Sequence, residues 1–391
     1  MIKMQRLCLL TVAAAMALVA PARAQAPDLQ AVARNLVQAG MVAKGDKVLI
    51  TGSVRDAALL ENIAIETMKA GGQPLISISS ESLTRRSYEE VPEVFDSLPQ
   101  TLGLDLVQTF DLQISVDVGT SESILAGIPP KRRAARAVAN EPVTAAFLKR
   151  NIRLVSLGNG IYPTDTLAKR LGIPVADLAN SFWRGAGVLP QDLRVKGESL
   201  RASFANAKQV TLTHSNGTNL TFNVDAGRGL VSDGALTPEK VRLGSAAAST
   251  WLPAGELILP AVPGSAEGKL VVDKTLWDGE EVTGLTLTFT KGHLTAMTAA
   301  SNLSLIKAAY DVAGGAKDQF GYIDFGLNPE TRLPVGTGRI IWTVPGAVTV
   351  GFGDNRSFGG SNASDFGLAL QLGRATVKVD GKAIVENGIL K

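Results

Sequence analysis

The sequence is poor in thiols, histidine and aromatic residues. It contains one cysteine, Cys8, and two histidines among 391 residues, and phenylalanine, tryptophan and tyrosine together make up 5%. Because Cys8 lies in the leader described below, the chain that follows cannot form a disulfide and must be stabilised by its core alone. The scarcity of cysteine therefore excludes a disulfide scaffold and a cysteine nucleophile.

The chain also carries little net charge. Its formal charge of +3 includes Lys3, Arg6 and Arg23 of the leader, so the remainder is close to neutral. A nearly neutral chain gives no electrostatic reason to expect nucleic acid as a partner. The one basic cluster, Lys131, Arg132, Arg133 and Arg136, is interpreted as the solvated face of a helix.

Long apolar runs are absent after the first 24 residues. The chain opens with Lys3 and Arg6, continues through an apolar stretch over residues 7–20, and reaches the small-residue pattern Ala22-Arg23-Ala24. This arrangement is typical of a secretory signal peptide, and the apolar stretch is too short to span a bilayer. We expect residues 1–24 to be a cleaved signal peptide, the mature protein to be periplasmic or secreted, and no segment to span a membrane.

The first half of the chain predicts alternating helices and strands. Apolar spacing indicates a helix over residues 28–40, a strand over 47–51, a helix over 56–70 and a strand over 74–79, which together form a parallel βαβ unit. Weaker signals predict strands at 112–118 and 153–157 and helices at 131–139 and 164–171. The turn after the first strand lacks the G-x-G-x-x-G spacing of a dinucleotide site. Residues 25–193 are therefore expected to form an α/β domain with a mainly parallel sheet.

The second half is expected to be a β-rich (α+β) domain over residues 194–391. Hairpin patterns occur at 210–222 and 376–385, where short alternating strands flank turn residues. Further strands are predicted at 270–272, 285–289, 322–325, 339–344 and 348–352, with one helix at 302–312.

Several segments in this half carry a family resemblance. They are LPAGE at 252–256, GLNP at 326–329, GFGDN at 351–355 and FGGSNAS at 358–364, and they are accompanied by KGDKVLI at 44–50 near the start. In order and spacing they resemble the M29 metallo-aminopeptidases, also called the aminopeptidase T or thermophilic metalloprotease family. The resemblance implies an α/β N-terminal domain, a β-rich C-terminal domain with a two-metal site, and release of N-terminal residues from peptides.

Most of the metal ligands that the resemblance implies are replaced here. The family uses two glutamates, two histidines and an aspartate, because two divalent ions and an activated water must be held together. Glu256 matches the first glutamate. The other four positions fall on Tyr322, Thr349 (or Arg339 with a different gap), Gly367 and Ala369, and none of these is a zinc ligand.

Other side chains offer few replacements. His214 and His293 both lie at predicted turns and are interpreted as solvated turn residues. Asp324, Asp354 and Asp365 lie near the lost positions and could form an oxygen-only site for calcium, magnesium or manganese. Glu256 and Asp365 are therefore the metal candidates, and the cofactor prediction stays open between a divalent metal ion and none.

Three functions remain compatible with the sequence. The first is an exported M29-like aminopeptidase with a degenerate metal site, acting on small peptides and able to form a homodimer. The second is a catalytically inactive envelope protein that binds ligands on the same fold. The third is an enzyme of altered chemistry, with Tyr322, Asp365 and Glu256 lining the old cleft.

The signal peptide gives a direct prediction. Expression in a bacterial host with an intact secretion pathway should release a periplasmic protein whose first residue is Gln25, since cleavage is expected after Ala24. Mass spectrometry of the periplasmic fraction measures that terminus. Recovery of an uncleaved protein that starts at Met1 in the membrane fraction would contradict the prediction.

Overall fold

The computed structural model describes residues 27–118, 124–125 and 127–391, so the predicted signal peptide lies outside the described residues. Within these ranges the helices are α1 (Leu29–Ala39), α2 (Ala57–Lys69), α3 (Glu81–Glu89), α4 (Thr101–Val107), α5 (Pro130–Lys149), α6 (Asp165–Leu171), α7 (Val175–Ala186), α8 (Pro190–Ala202), α9 (Pro238–Leu243) and α10 (Leu303–Val312). No helix of the described residues is both long and apolar enough to cross a bilayer.

The strands of the same ranges are β1 (Lys47–Ser53), β2 (Gln73–Ser79), β3 (Leu112–Val116), β4 (Arg153–Leu157), β5 (Val210–Thr213), β6 (Asn219–Phe222), β7 (Leu230–Ser232), β8 (Ser249–Leu252), β9 (Glu256–Pro260), β10 (Glu267–Trp277), β11 (Glu280–Thr290), β12 (His293–Thr298), β13 (Phe320–Gly326), β14 (Val348–Gly353), β15 (Gly367–Leu372), β16 (Thr376–Val379), β17 (Lys382–Glu386) and β18 (Ile389–Leu390). They form three sheets.

The first sheet is parallel and has the strand order β2-β1-β3-β4-β8. Apolar residues of α1 and α2, among them Leu36, Leu60 and Ile63, pack with Ile50 and Ile114 of the strands in one core. In β1 and β3, fully buried residues alternate with partly exposed ones, so one face of these strands packs against the helices. The predicted α/β fold of the N-terminal half is confirmed.

The second and third sheets are antiparallel and pack around a shared core. Eight strands follow the order β12-β11-β10-β6-β5-β16-β17-β18, and five follow the order β15-β14-β13-β9-β7. Phe289 contacts Phe320 and Phe352 edge-on, with ring centroids 5.4 and 5.9 Å apart. The β-rich C-terminal half is therefore confirmed as well.

One short segment joins the parallel sheet to the five-stranded sheet. Strand β8 ends at Leu252 in the parallel sheet, and β9 begins at Glu256 in the antiparallel sheet. Strand β8 lies beyond residue 193, where the sequence places the domain boundary, and that boundary stays a prediction. Residues 253–255 therefore connect one sheet to the other, and we call this segment the crossing.

Asn328 fixes this crossing. Its side chain is fully buried, and its Nδ2 donates to the carbonyl oxygens of Gly185 at 2.9 Å and Ala254 at 2.6 Å, while its Oδ1 accepts from the Glu330 amide at 3.0 Å. Gly255 has a φ of +116°, and a Cβ there would lie 2.9 Å from the Asn328 backbone nitrogen. The GLNP and PAGE segments thus contact each other directly, and helix α7 is attached to both.

Two sequence interpretations are wrong in this structure. Residues 339–344 do not form a strand. The Ile341 amide donates to Gln371 Oε1 at 3.1 Å and the Ile341 carbonyl accepts from Gln371 Nε2 at 2.8 Å, so a side chain takes the place of a neighbouring strand. The basic cluster is not simply a solvated face. Arg132 and Arg136 surround the buried carboxylate of Asp96, at 2.5 and 2.6 Å.

We predict that Asn328→Ala destabilises the protein by about 3 kcal/mol, because the carbonyls of Gly185 and Ala254 lose their buried donor. Denaturant unfolding of both proteins measures the difference. Asn140→Ala is the matched control, since Asn140 is exposed on α5 and its amide makes only a 3.4 Å bond to Thr144. Equal losses in the two variants would show that Asn328 does not hold the crossing.

Candidate functional site

The five positions that sequence analysis assigned to the metal site share one face of the five-stranded sheet. Register places Asp324 of β13 between Ile258 and Thr349, and Tyr322 between Pro260 and Gly351. Alternate residues of a strand point to the same face. By this rule Glu256, Tyr322, Thr349, Gly367 and Ala369 all lie on one side, together with Asp324 and Gln371.

Two carboxylates lie at the centre of this face. Glu256 and Asp324 occupy diagonal positions on β9 and β13, and their exposed fractions are 5% and 0%. Neither carboxylate oxygen of Asp324 has a hydrogen-bond partner in the part of the chain that the structure describes. We call Glu256 and Asp324 the carboxylate pair.

Burial dominates the electrostatics of the carboxylate pair. Desolvation raises the pKa of Glu256 to about 7, although a hydrogen bond from Asn159 opposes the shift. Desolvation and the neighbouring charge of Glu256 raise the pKa of Asp324 well above its usual range. Two buried like charges close together are costly, so the carboxylate pair favours holding at least one proton.

Asn159, at the end of the parallel sheet, positions Glu256. It follows β4 in the sequence Gly158-Asn159-Gly160, and its Nδ2 donates to Glu256 Oε1 at 2.7 Å and to the Pro253 carbonyl at 2.8 Å. The carboxyl end of the parallel sheet thereby contacts the start of β9. Sequence reasoning missed Asn159, although a Gly-Asn-Gly turn directly after a predicted parallel strand was a usable signal.

Tyr322 fills the space beside the carboxylate pair. A Cβ at Gly351 would lie 2.2 Å from its ring, so the ring rests directly on this glycine. Phe358 packs on Tyr322 with centroids 4.4 Å apart, and Trp342 lies 6.2 Å from Phe358. Desolvation and then the charge of Asp324 raise the pKa of Tyr322, which keeps the phenol neutral.

Among the remaining polar side chains of this face, Gln371 and Thr349 bind protein groups, whereas Ser232, opposite Glu256 on β7, has a buried hydroxyl with no hydrogen-bond partner among the described residues. Gln371 Nε2 donates to Thr349 Oγ1 at 3.2 Å as well as to the Ile341 carbonyl. Among the described residues, no group of three or more His, Cys, Asp or Glu side chains lies close enough to hold a metal ion. The face therefore offers two carboxylates where the family resemblance implies five ligands.

The other metal candidates lie apart from the carboxylate pair. Asp365 is exposed in the loop before β15, and Asp354 is paired with Arg356 at 2.6 Å. His214 accepts from the Asn216 amide at 3.2 Å, and His293 lies 2.8 Å from Asp318. The structure does not bring Asp324, Asp354 and Asp365 together as one acidic site.

Glu256 lines a cavity of about 700 Å³, which we call the central cleft. Its walls include aromatic side chains and charged groups, namely Trp251, Trp342, Phe358, Arg194, Glu198, Arg201, Asp233 and Lys240. Asp233 is paired with Arg194 and Lys240, both at 2.7 Å. Burial alone would raise the pKa of Asp233, but the contacts with Lys240 and Arg194 outweigh it and lower that pKa.

Comparison with known proteins agrees with the fold described above. A family model described as thermophilic metalloprotease (M29) matches residues 25–321. The structure of wild-type AmpT from Thermus thermophilus aligns with a TM-score of 0.66 at 15% identity, over 93% of this chain and 98% of that one. No curated protein matches the sequence.

A second solved structure shares the fold but belongs to an enzyme of a different class. It is the 2,5-dihydroxypyridine dioxygenase from Pseudomonas putida KT2440, with a TM-score of 0.56 and 13% identity, covering 93% of this chain and 96% of that one. One fold can carry several chemistries, so the reaction must be argued from the site.

The raised pKa of Glu256 predicts a pH-dependent stability. The unfolded chain releases this proton near pH 4.5, whereas the folded protein keeps it until about pH 7. Stability should therefore fall as pH rises across this window, and the loss should persist above it. Glu256→Gln should remove about 3 kcal/mol of that fall.

Denaturant unfolding at several pH values from 4 to 8, with a chelator present, measures this effect. Glu141→Gln at an exposed position of α5 is the control and should leave the pH profile unchanged. The prediction fails if the profiles of Glu256→Gln and the unsubstituted protein are parallel.

Proposed function

The chain belongs to the M29 family of thermophilic metalloproteases, and on this basis we propose that it is an exported protein that binds small peptides in the central cleft without two-metal hydrolysis. The observation that carries the proposal is the composition of the sheet face around Glu256. Tyr322, Thr349, Gly367 and Ala369 stand at the positions where the family resemblance implies a glutamate, two histidines and an aspartate.

The residues present do not fit a pair of divalent ions. Such a pair needs several anionic or imidazole ligands to fix its geometry and neutralise its charge. Here Glu256 and Asp324 are the two carboxylates of the face, and the Tyr322 ring lies on Gly351 beside them. Gln371 is bound to Thr349 and to the backbone of Ile341. We therefore assign no catalytic step to a metal.

The central cleft has the properties of a small-ligand site. Its volume of about 700 Å³ lies within the range of roughly 300–1,000 Å³ that is usual for such sites. Trp251, Trp342 and Phe358 provide apolar surface, and the buried Glu256 can accept a hydrogen bond or pair with the amino group of a peptide. Charged groups at Arg194, Arg201 and Lys240 lie among the other lining residues.

The competing candidate is a metal-dependent aminopeptidase. The family match over residues 25–321 and the presence of Glu256 at its expected position favour this reading. Such an enzyme would need metal ligands that the described residues do not group together. Export to the periplasm and homodimer formation belong to both candidates.

Metal analysis and a peptide assay separate the two candidates. Purified protein is incubated with zinc, cobalt, manganese or calcium, desalted and measured by elemental analysis. Leu-Gly-Gly is then tested by calorimetry for binding and by leucine release for hydrolysis. We expect well under two equivalents of any metal, and binding of the peptide without leucine release.

Glu256→Gln and Glu141→Gln supply the matched comparison. Peptide binding should weaken by about tenfold in Glu256→Gln, because an interaction with a charged group is lost, and stay unchanged in Glu141→Gln. Hydrolysis that a chelator abolishes would establish the aminopeptidase instead. Absence of both binding and hydrolysis would contradict the two candidates together.

A further inference from the structure

A row of hydroxyl side chains crosses the parallel sheet near its carboxyl edge. Register pairs Thr51 of β1 with Ser77 of β2 and Ser115 of β3, Ser115 with Ser156 of β4, and Ser156 with Trp251 of β8. Paired positions in neighbouring strands present their side chains on one face. Polar residues in consecutive central strands of a parallel sheet run against the apolar pattern that burial favours.

This row opens into a second cavity, of about 520 Å³, which we call the edge cavity. Thr51, Ser115, Ser156 and Trp251 line it, together with Ser79, Asp117, Asn159 and Trp342. In the strand order β2-β1-β3, β2 lies on one side of β1 and β3 lies on the other. The connections that follow β1 and β2 therefore run in opposite directions across the sheet. In open α/β sheets, ligands bind outside the carboxyl ends of strands at such a switch point.

The lining restricts the class of ligand. Asp117 is the only charged residue among the described residues that line the edge cavity. Arg55 and Arg339 lie against this lining, where Arg55 donates to the carbonyl oxygens of Asp117 and Val118, and Arg339 donates to that of Gly160. A phosphate or nucleotide would find no lysine or arginine in the lining, since both neighbouring guanidinium groups are bonded to backbone carbonyls, and it would lie beside the Asp117 carboxylate. An anionic ligand is therefore disfavoured.

The same lining suits a neutral polyhydroxylated molecule. Serine and threonine hydroxyls both donate and accept hydrogen bonds, and an aspartate accepts from two donors. Trp251 and Trp342 are half-buried and provide broad apolar surfaces on which the C–H face of a sugar ring can pack. Hydroxyl groups, one carboxylate and two indoles thus cover the polar edge and the apolar face of such a ligand.

We propose that the edge cavity binds a neutral carbohydrate or polyol, with Ser115 and Ser156 hydrogen-bonding its hydroxyls and Trp251 and Trp342 packing on its ring. The inference does not rest on peptide binding in the central cleft. The two cavities share Asn159, Trp251 and Trp342, whereas the hydroxyl row lines the edge cavity and Glu256 lines the central cleft.

Calorimetry with maltose, N-acetylglucosamine and myo-inositol as separate probes tests the proposal, with tryptophan fluorescence as a second readout. We expect saturable binding of at least one probe. Ser115→Val and Ser156→Ala should each weaken it about tenfold, since each removes a hydrogen-bonding hydroxyl. Ser77→Ala is the matched control, because Ser77 belongs to the same row but is exposed on edge strand β2 and does not line the cavity.

The outcomes separate this proposal from the function proposed above. Leu-Gly-Gly binding that persists in Ser115→Val while carbohydrate binding is lost would support two distinct sites. Circular dichroism and thermal unfolding verify that each variant is folded. Ser156→Ala adds no side-chain volume, so it serves as the test if the larger valine of Ser115→Val proves destabilising. No saturable response to the three probes, or equal affinity in Ser115→Val, Ser156→Ala and Ser77→Ala, would overturn the carbohydrate site whatever the peptide result.

Discussion

The architecture depends on the three-residue crossing between β8 and β9. Residues 253–255 leave the parallel sheet and enter the antiparallel sheet, so the two sheets cannot move independently at this point. Asn328 holds the Ala254 carbonyl and Asn159 holds the Pro253 carbonyl, at 2.6 and 2.8 Å. Both contacts are buried or half-buried hydrogen bonds from side-chain amides, and their loss would leave the two carbonyl groups without partners. The position of Glu256, the first residue after the crossing, follows from them.

The crossing also explains why the two cavities are neighbours. Trp251 precedes it and lines both cavities, and Glu256 follows it and faces the central cleft. The carboxyl edge of one sheet and the polar face of another are thereby brought against each other. The family fold supplies this arrangement, whereas the chemistry depends on the side chains that occupy it. Here these are a buried carboxylate pair, an aromatic cluster and a row of hydroxyls.

Local patterns in the sequence were sufficient for the fold but not for the site. Apolar spacing predicted α1, β1 and α2, because these elements bury one face, and it predicted β2 although the apolar side chains of that edge strand are exposed. Residues 339–344 have a strand-like pattern, yet Gln371 satisfies the backbone of Ile341, a contact that spans 30 positions. Asn159 and Glu256 are 97 residues apart, so their bond leaves no local trace. Motif order assigned Glu256, Tyr322 and Thr349 to ligand positions of the family, but their shared sheet face and the unpartnered carboxylate of Asp324 required the structure.

Tyr322 and Gly351 fit each other so closely that neither can change alone without a loss of stability. The tyrosine ring occupies the volume that any side chain at 351 would need, since a Cβ at that position would lie 2.2 Å from the ring. A larger residue at 351 must displace the ring, and a smaller one at 322 leaves a void against Phe358. A single substitution at either position therefore lowers stability. Replacing the ring without a void or a clash requires that the side chains at 322 and 351 change together, so two positions on neighbouring strands are coupled in size.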